Sequence, residues 1–180
     1  MAASSEATTE ARQGEIVRGR YIATPPAGTV IFMFGLRVNR WSEVRRWLPL
    51  WRSLRRIVRE QHARPQCGLL WSTSWRDGRE FTVLQYWKDM QTLLDYAQDP
   101  SFKHAGVWKK YNHGVGDTGL VGIWHEAYTI DTGSPKGLHT IYRDVPLRGL
   151  AAATSSLEGT EYALRELARK RSGKEEGTMP

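Results

Sequence analysis

Two histidines of this 180-residue chain, His125 and His104, are the main candidates for catalysis or ligand binding, and they lie in different sequence patterns. His125 is followed by Glu126 within 120–130, an apolar run with the composition and length of a β-strand. Neighbouring strand residues point to opposite faces, so only one of the two side chains reaches the helices, and the sequence does not decide which. Position 129 is Thr, so the second histidine of a helical zinc motif is absent. A satisfied core histidine or an interfacial glutamate would produce the same pattern.

His104 stands four residues before Trp108 and seven before Tyr111, which places all three on one face of a predicted helix. Ordinary amphipathic packing with the imidazole at the rim accounts for this spacing. A neutral imidazole in that position could also be a catalytic base, a metal ligand or a haem ligand. The glycine pattern at 114–119 follows a helix and enters a strand, so it predicts a turn and not a dinucleotide loop.

The positive charge is confined to one segment. The formal net charge is +7, and residues 37–64 contain nine arginines, no lysine and two acids, so that the rest of the chain is neutral. Six of the nine arginines lie in a predicted helix with a clear apolar stripe, and no nucleic-acid-binding motif is present, which argues against nucleic acid as the partner. Attraction of an anionic ligand such as a carboxylate is a more local use of the same charge.

The sequence predicts an alternating order of strands and helices. A β-branched and aromatic run predicts the first strand, and an Asp-Gly pair between two apolar runs predicts a hairpin. Pro49 lies inside the first helical pattern and should kink or restart that helix. The predicted elements are a strand at 29–38, a helix from 41 to about 61, hairpin strands at 67–75 and 79–87, a helix from 90 to 99, a further helical piece after 99, strands at 120–130 and 139–143, and a C-terminal helix at 160–171.

This order is that of a ferredoxin-like βαββαβ sandwich, an α+β fold. If both helices cover the same side of the sheet, the other side needs a cover, and a second subunit would supply it, so we predict a homodimer. We predict a flexible tail at 1–14, the folded domain at 15–155, and a C-terminal helix and tail at 156–180. The longest apolar run is far shorter than the roughly 20 residues of a membrane span, and the single cysteine, Cys67, fits a reducing compartment. We therefore expect a cytoplasmic protein with no membrane partner.

Several stretches together resemble a known family. They are the Gly35–Arg40 segment, Val44–Pro49, Gln85–Trp87, Tyr96-Ala97, His104 with Ala105 and Trp108, and Val121–Tyr128. Over roughly 29–154, the chain is similar to the family grouped with the monooxygenase of the fumagillin pathway, which is related to the antibiotic-biosynthesis monooxygenases and has the dimeric α/β-barrel fold. Two positions depart from the family pattern, namely Ala127 within Glu126-Ala127-Tyr128 and Asp144 before Val145-Pro146, and they would change the substrate or the reaction if they contact it.

The resemblance implies a tailoring monooxygenase of secondary metabolism that acts on an apolar or aromatic metabolite in a pocket between sheet and helices. Its leading form needs no cofactor: His125 or Glu126 removes a proton, and hydrogen-bond donors hold the oxyanion that develops. One alternative is a haem b enzyme on the same fold, similar to an aldoxime dehydratase, with His104 as axial ligand. Another is a non-catalytic protein that shelters the metabolite. The candidate catalytic residues are Asn39, His104, His125 and Glu126, and the candidate substrate-binding residues are Trp47, Trp87, Trp108, Trp124 and Tyr128.

Overall fold

The computed structural model describes residues 16–99, 101, 111, 113, 115, 118–131, 138–154 and 157–159. Two compact units make up the chain, one of residues 26–137 and one that joins residues 1–25 to 138–180. The predicted helix at 160–171 lies outside the described residues, and of the predicted helical piece after residue 99 only residues 101, 111 and 113 are described. The elements are β1 (Ile16–Ala23), β2 (Val30–Val38), α1 (Val44–His62), a 3-10 turn (Pro65–Cys67), β3 (Leu69–Asp77), β4 (Glu80–Trp87), α2 (Met90–Gln98), β5 (Val121–Thr129), β6 (Tyr142–Pro146), α3 (Leu150–Ala153) and β7 (Leu157–Gly159).

The unit of residues 26–137 contains a four-stranded antiparallel sheet with the strand order β3-β4-β2-β5. With α1 after β2 and α2 after β4, this is the predicted ferredoxin-like arrangement, and the α+β fold class is confirmed. The β3–β4 hairpin closes through a two-residue turn, because Asp77 pairs with Glu80. Gly78 takes a φ of +51° there, which glycine adopts at little steric cost.

The two central strands show regular alternation, which defines two faces of the sheet. On β2, the even-numbered residues from Val30 to Val38 include members of both apolar core clusters of this unit. These clusters also contain Leu50 of α1 and Leu93 of α2, so the even-numbered face of β2 is the helix side. We call the opposite surface the outer face.

α1 is one continuous helix from Val44 to His62, and the predicted restart at Pro49 does not occur. Proline removes one backbone donor, but the helix packs on the core on both sides of that position: Trp47 precedes Pro49, and the buried Leu50 and Ile57 follow it. The hydroxyl of Ser53 donates to the carbonyl of Pro49 at 2.9 Å. None of the helices in the described ranges is long and apolar enough to cross a membrane.

The second unit contains a three-stranded antiparallel sheet with the order β6-β1-β7. β1 was not predicted from the sequence, because Gly19 interrupts its apolar pattern. Gly19 has a φ of +92° and lies within a register shift between Val17 and Arg20. β6 lies three residues later than predicted. Its second half contains Asp144 and Pro146, residues that disfavour strands, but pairing with β1 extends the strand through both. The predicted boundaries of the tail and the folded domain remain predictions.

Candidate functional site

The helix side of the four-stranded sheet encloses a cavity of about 320 Å³ beneath α1 and α2. Its wall is mainly apolar. β2 and β5 form the floor, and the two helices form the sides. The lining side chains on the helix side are Phe32, Phe34, Leu36, Leu50, Leu54, Ile57, Met90, Leu93, Leu94, Tyr96, Ala97, Tyr111, Ile123, His125 and Ala127.

Local sequence explains how α2 reaches the cavity. The carboxylate of Asp89 accepts hydrogen bonds from the backbone N–H and the hydroxyl of Thr92, each at 2.7 Å, and so caps the helix before Met90. These bonds lower the pKa of Asp89. Leu94 and Ala97, predicted for the apolar face of this helix, are exposed and line the cavity.

His125 is placed on the cavity floor by strand register. β5 pairs with β2 so that His125 lies opposite Phe34, on the helix side. Its ring is 6.1 Å from the ring of Phe32, and its side chain is exposed. Tyr111, also at the wall, donates its hydroxyl to the Val121 carbonyl at 3.2 Å. Within the part of the wall that the structure describes, His125 is therefore the one imidazole, and no carboxylate or cation accompanies it.

Three other predicted site residues of β5 lie on the outer face. Trp124 donates its indole N–H to a carboxylate oxygen of Glu80 at 2.6 Å. Tyr128 donates its hydroxyl to Glu126 at 2.8 Å, and this hydrogen bond raises the pKa of Tyr128. The structure thus separates His125 from Glu126 by the thickness of the sheet.

The remaining predicted residues lie apart from the cavity or outside the described residues. Asn39 follows β2 and donates its side-chain amide to the Gly119 carbonyl at 2.9 Å. Trp47 lies at a separate cleft beside α1 and donates to the Trp41 carbonyl at 3.1 Å. Trp87 is fully buried in the core and is not part of the cavity wall. His104 and Trp108 lie outside the described residues. In the described ranges, no three His, Cys, Asp or Glu side chains come together as a metal site.

Sequence reasoning missed a buried polar chain next to the cavity. The indole N–H of Trp87 donates to Gln85 at 3.0 Å, and the amide of Gln85 donates to the side-chain oxygen of Gln61 at 2.7 Å. Tyr96 packs on Trp87 with 5.1 Å between ring centroids, and burial raises the pKa of its hydroxyl above the usual range. The sequence contained a signal for this chain, namely a polar residue at a core position in each element. Gln85 interrupts an alternating apolar strand, and Gln61 continues the apolar stripe of α1.

The helix side of this ferredoxin-like sheet therefore carries a mainly apolar cavity with the His125 imidazole on its floor. The chain matches the monooxygenase af470-like family over residues 29–150, more than half of its length, and it belongs to that family. The monooxygenase assignment implied by the sequence motifs is confirmed at this level, and the link to the fumagillin pathway remains a prediction.

Two of the solved structures with a similar fold are enzymes of different kinds. The chain is 12% identical to the aldoxime dehydratase OxdRE in complex with butyraldoxime, with a TM-score of 0.54, 67% of this chain covered and 38% of that one. It is 15% identical to SnoaB, a cofactor-independent oxygenase from Streptomyces nogalater, with a TM-score of 0.42, 61% of this chain covered and all of that one. No curated protein matches the chain.

Proposed function

We propose that this protein is a small-molecule oxygenase that oxidises an apolar or aromatic metabolite in the cavity on the helix side of the sheet. Membership of a monooxygenase family supports this reaction class. The observation that carries the proposal is the position of His125, a titratable group on the wall of an otherwise apolar cavity. The cavity volume of about 320 Å³ is at the small end of the range for ligand pockets.

In the proposed reaction, His125 is the general base. A neutral imidazole nitrogen accepts a proton from an acidic C–H of the substrate, and the resulting carbanion is oxidised by dioxygen to a hydroperoxide. Loss of water from the hydroperoxide then leaves a carbonyl group. The balance is one CH₂ group and one O₂ in, and one C=O group and one water out. The substrate supplies all four electrons, so this chemistry requires no cofactor.

The apolar wall has a second role in the proposed reaction. Phe32, Phe34 and Ile123 present apolar surface beside His125, so a substrate packed against them displaces water and the carbanion is shielded from reprotonation by solvent. The phenol rings of Tyr96 and Tyr111 also face the cavity, while their hydroxyl groups are directed into the surrounding protein. Substrate selection therefore depends on shape and apolar contact, with the imidazole as the polar group.

We also propose that the protein is a homodimer in the cytoplasm. The outer face of the sheet leaves Trp75 44% and Tyr128 53% exposed, and association of two copies through this face would bury both. Sedimentation equilibrium of the wild type and of Trp75→Glu tests this arrangement. A dimer that becomes monomeric in the variant agrees with the proposal, and a monomeric wild type contradicts it.

Oxygen uptake tests the enzymatic proposal. The probe is anthrone, an apolar aromatic ketone with an acidic methylene, and its oxidation product is detected alongside the oxygen consumed. We expect uptake without added metal or flavin and one quinone formed per O₂. Binding of anthrone and related ketones without oxygen uptake would instead indicate the non-catalytic binding protein.

A visible spectrum recorded after expression with haem supply tests the haem b alternative. We expect no haem band. A Soret band that disappears in His104→Ala would overturn the cofactor-independent proposal and make His104 an axial ligand.

A further inference from the structure

We propose that the protein has a second ligand site, a cleft beside α1 that binds a small aromatic carboxylate. This site goes beyond the proposed oxygenase activity, because it lies on a different face of α1 from the cavity. Leu50 and Ile57 face the cavity, whereas Trp51, Arg55 and Arg59 face the cleft, and Leu54 borders both spaces. β3 and β4 form the other wall.

The cleft has a volume of about 570 Å³, well within the range of small-molecule pockets. We call it the arginine cleft and define it by Trp41, Trp47, Trp51, Arg55, Arg59 and Arg76. Its walls join three indoles with three guanidinium groups. Large flat apolar surfaces next to permanent positive charge are suited to a ligand with an aromatic body and an anionic group.

Two of the arginines are oriented by stacking. The guanidinium carbon of Arg55 lies 5.0 Å from the ring centroid of Trp51, and that of Arg76 lies 4.9 Å from the centroid of Trp41. Arg76 also donates its Nε–H to the Gly78 carbonyl at 3.0 Å. A stacked guanidinium uses its face for the ring and keeps the N–H groups at its edge for a carboxylate, with which it forms paired hydrogen bonds.

The charges around the cleft favour an anion. No Asp or Glu is among the described residues that line it, so its three arginines are not neutralised within the site. The described wall of the cavity, in contrast, contains no Lys or Arg. A neutral aromatic molecule should therefore prefer the cavity, and an aromatic carboxylate should prefer the arginine cleft.

The surface of α1 supplies a matched control for this charge. Arg52 and Arg56 are exposed on the same helix but do not line the cleft. Replacement of these two residues by glutamine changes the net charge by the same amount as replacement of Arg55 and Arg59. Long-range attraction by the whole helix would respond equally to both pairs, whereas a built site would respond only to the second pair.

Isothermal titration with 2-naphthoate and with its neutral amide, 2-naphthamide, tests the proposal on the full-length protein. We expect Arg55→Gln/Arg59→Gln to weaken 2-naphthoate binding about tenfold, because charge-assisted hydrogen bonds are lost at a solvent-accessible site. Arg52→Gln/Arg56→Gln should change it less than about twofold. His125→Ala should leave 2-naphthoate binding unchanged, which keeps this site distinct from the cavity.

Three results would overturn the proposal. Equal weakening of 2-naphthoate binding in the two double variants would show that the overall charge of α1, and not a built site, attracts the ligand. Equal affinity of the wild type for 2-naphthoate and 2-naphthamide would show that the negative charge of the ligand does not contribute to binding. Displacement of 2-naphthoate by a single-stranded oligonucleotide, with a steep inverse dependence on salt, would assign this surface to nucleic acid.

Discussion

The two faces of the four-stranded sheet are built from alternate residues of the same strands, yet they differ in polarity and in hydrogen bonding. On the outer face, Glu80 accepts from Trp124 and pairs with Arg37 at 3.4 Å, and Glu126 accepts from Tyr128. On the helix side, His125 has no hydrogen-bond partner among the described residues. The carboxylates of Glu80 and Glu126 are thus already hydrogen-bonded to neighbouring side chains, whereas the His125 imidazole is exposed at the cavity wall. We therefore expect the helix side to be the reactive one.

The largest expected effect is a difference in oxidation rate between variants of His125 and Glu126. We expect His125→Ala to lower anthrone oxidation by about 10² to 10³-fold, because a positioned general base contributes that much to proton transfer. Glu126→Gln, one residue away but on the outer face, should retain turnover within about twofold. Initial rates of oxygen uptake at saturating substrate give both numbers. The reverse ranking would place the chemistry on the outer face.

The second effect concerns stability on the helix side. Gln85→Ala removes the partner of both the Trp87 indole and the Gln61 amide oxygen, and these buried groups then lack hydrogen bonds. We expect a loss of about 3 kcal/mol in the free energy of unfolding. Thr73→Ala on the outer face of β3 should cost no more than about 0.5 kcal/mol. Urea denaturation measures both. A loss below about 1 kcal/mol for Gln85→Ala would show that the chain contributes little to the stability of this face.

A pair of glycines on the outer face gives a smaller effect. A Cβ on Gly35 would lie 2.7 Å from the indole nitrogen of Trp124 and 2.9 Å from the carbonyl oxygen of Phe81, so Gly35→Ala should cost about 1 to 3 kcal/mol. On the neighbouring strand, a Cβ on Gly122 would meet its nearest atom at 3.8 Å, and Gly122→Ala should change stability by less than about 0.5 kcal/mol. Thermal unfolding of the two variants compares them. Equal melting temperatures would mean that the Trp124 ring moves aside without cost.

The smallest effect is on the titration of Tyr128. The hydrogen bond and the negative charge of Glu126 raise the pKa of Tyr128. Glu126→Gln should therefore lower this pKa toward the ordinary value of about 10. Phenolate absorbance during alkaline titration detects the change, with Tyr128→Phe as the control that assigns the signal. An unchanged titration curve would mean that the Glu126–Tyr128 bond is absent in solution.

Tyr96 gives the corresponding titration on the helix side, where burial is the main cause of the raised pKa. Its folded-state pKa lies above the unfolded value of about 10, so its contribution to stability is fully present below that pH and is lost as the pH rises through the folded-state pKa. Alkaline unfolding of the wild type should therefore be steeper than that of Tyr96→Phe. Identical stability profiles above pH 10 would show that the pKa of Tyr96 is the same in the folded and unfolded states.

Much of the fold could be predicted from local patterns. The run 29–38 is strongly β-branched and aromatic, and the hairpin has an Asp-Gly turn, so both were predicted close to their observed positions. β1 could not be predicted in the same way, because Gly19 and the flanking arginines obscure its alternation. In addition, the residues of β6 with which it pairs are more than 120 positions away in sequence. Pro49 shows the converse case, where packing supported a helix that local propensity would interrupt.

The site was predictable only in part. The polar pair His125-Glu126 could be recognised in the sequence, but four of the predicted aromatic residues do not place their side chains in the cavity: Trp47, Trp87 and Tyr128 are not part of its wall, and Trp124 borders it while directing its indole to Glu80 on the outer face. Their identity as large aromatic residues suggested a pocket, whereas their positions depend on strand register and on the path of α1. The hydrogen bond between the buried Gln61 and Gln85 could not be predicted either, because the two residues are 24 positions apart and only the folded structure brings them together.

The sequence by itself determined the order of strands and helices and the concentration of net positive charge in the segment 37–64, because periodicity and charge are properties of neighbouring residues. Only the tertiary structure decided which side of β5 faces the helices. A strand repeats every two residues and is consistent with either orientation, so the choice depends on its register with β2 and on the side that α1 and α2 cover. That choice places His125 in the cavity and Glu126 outside it.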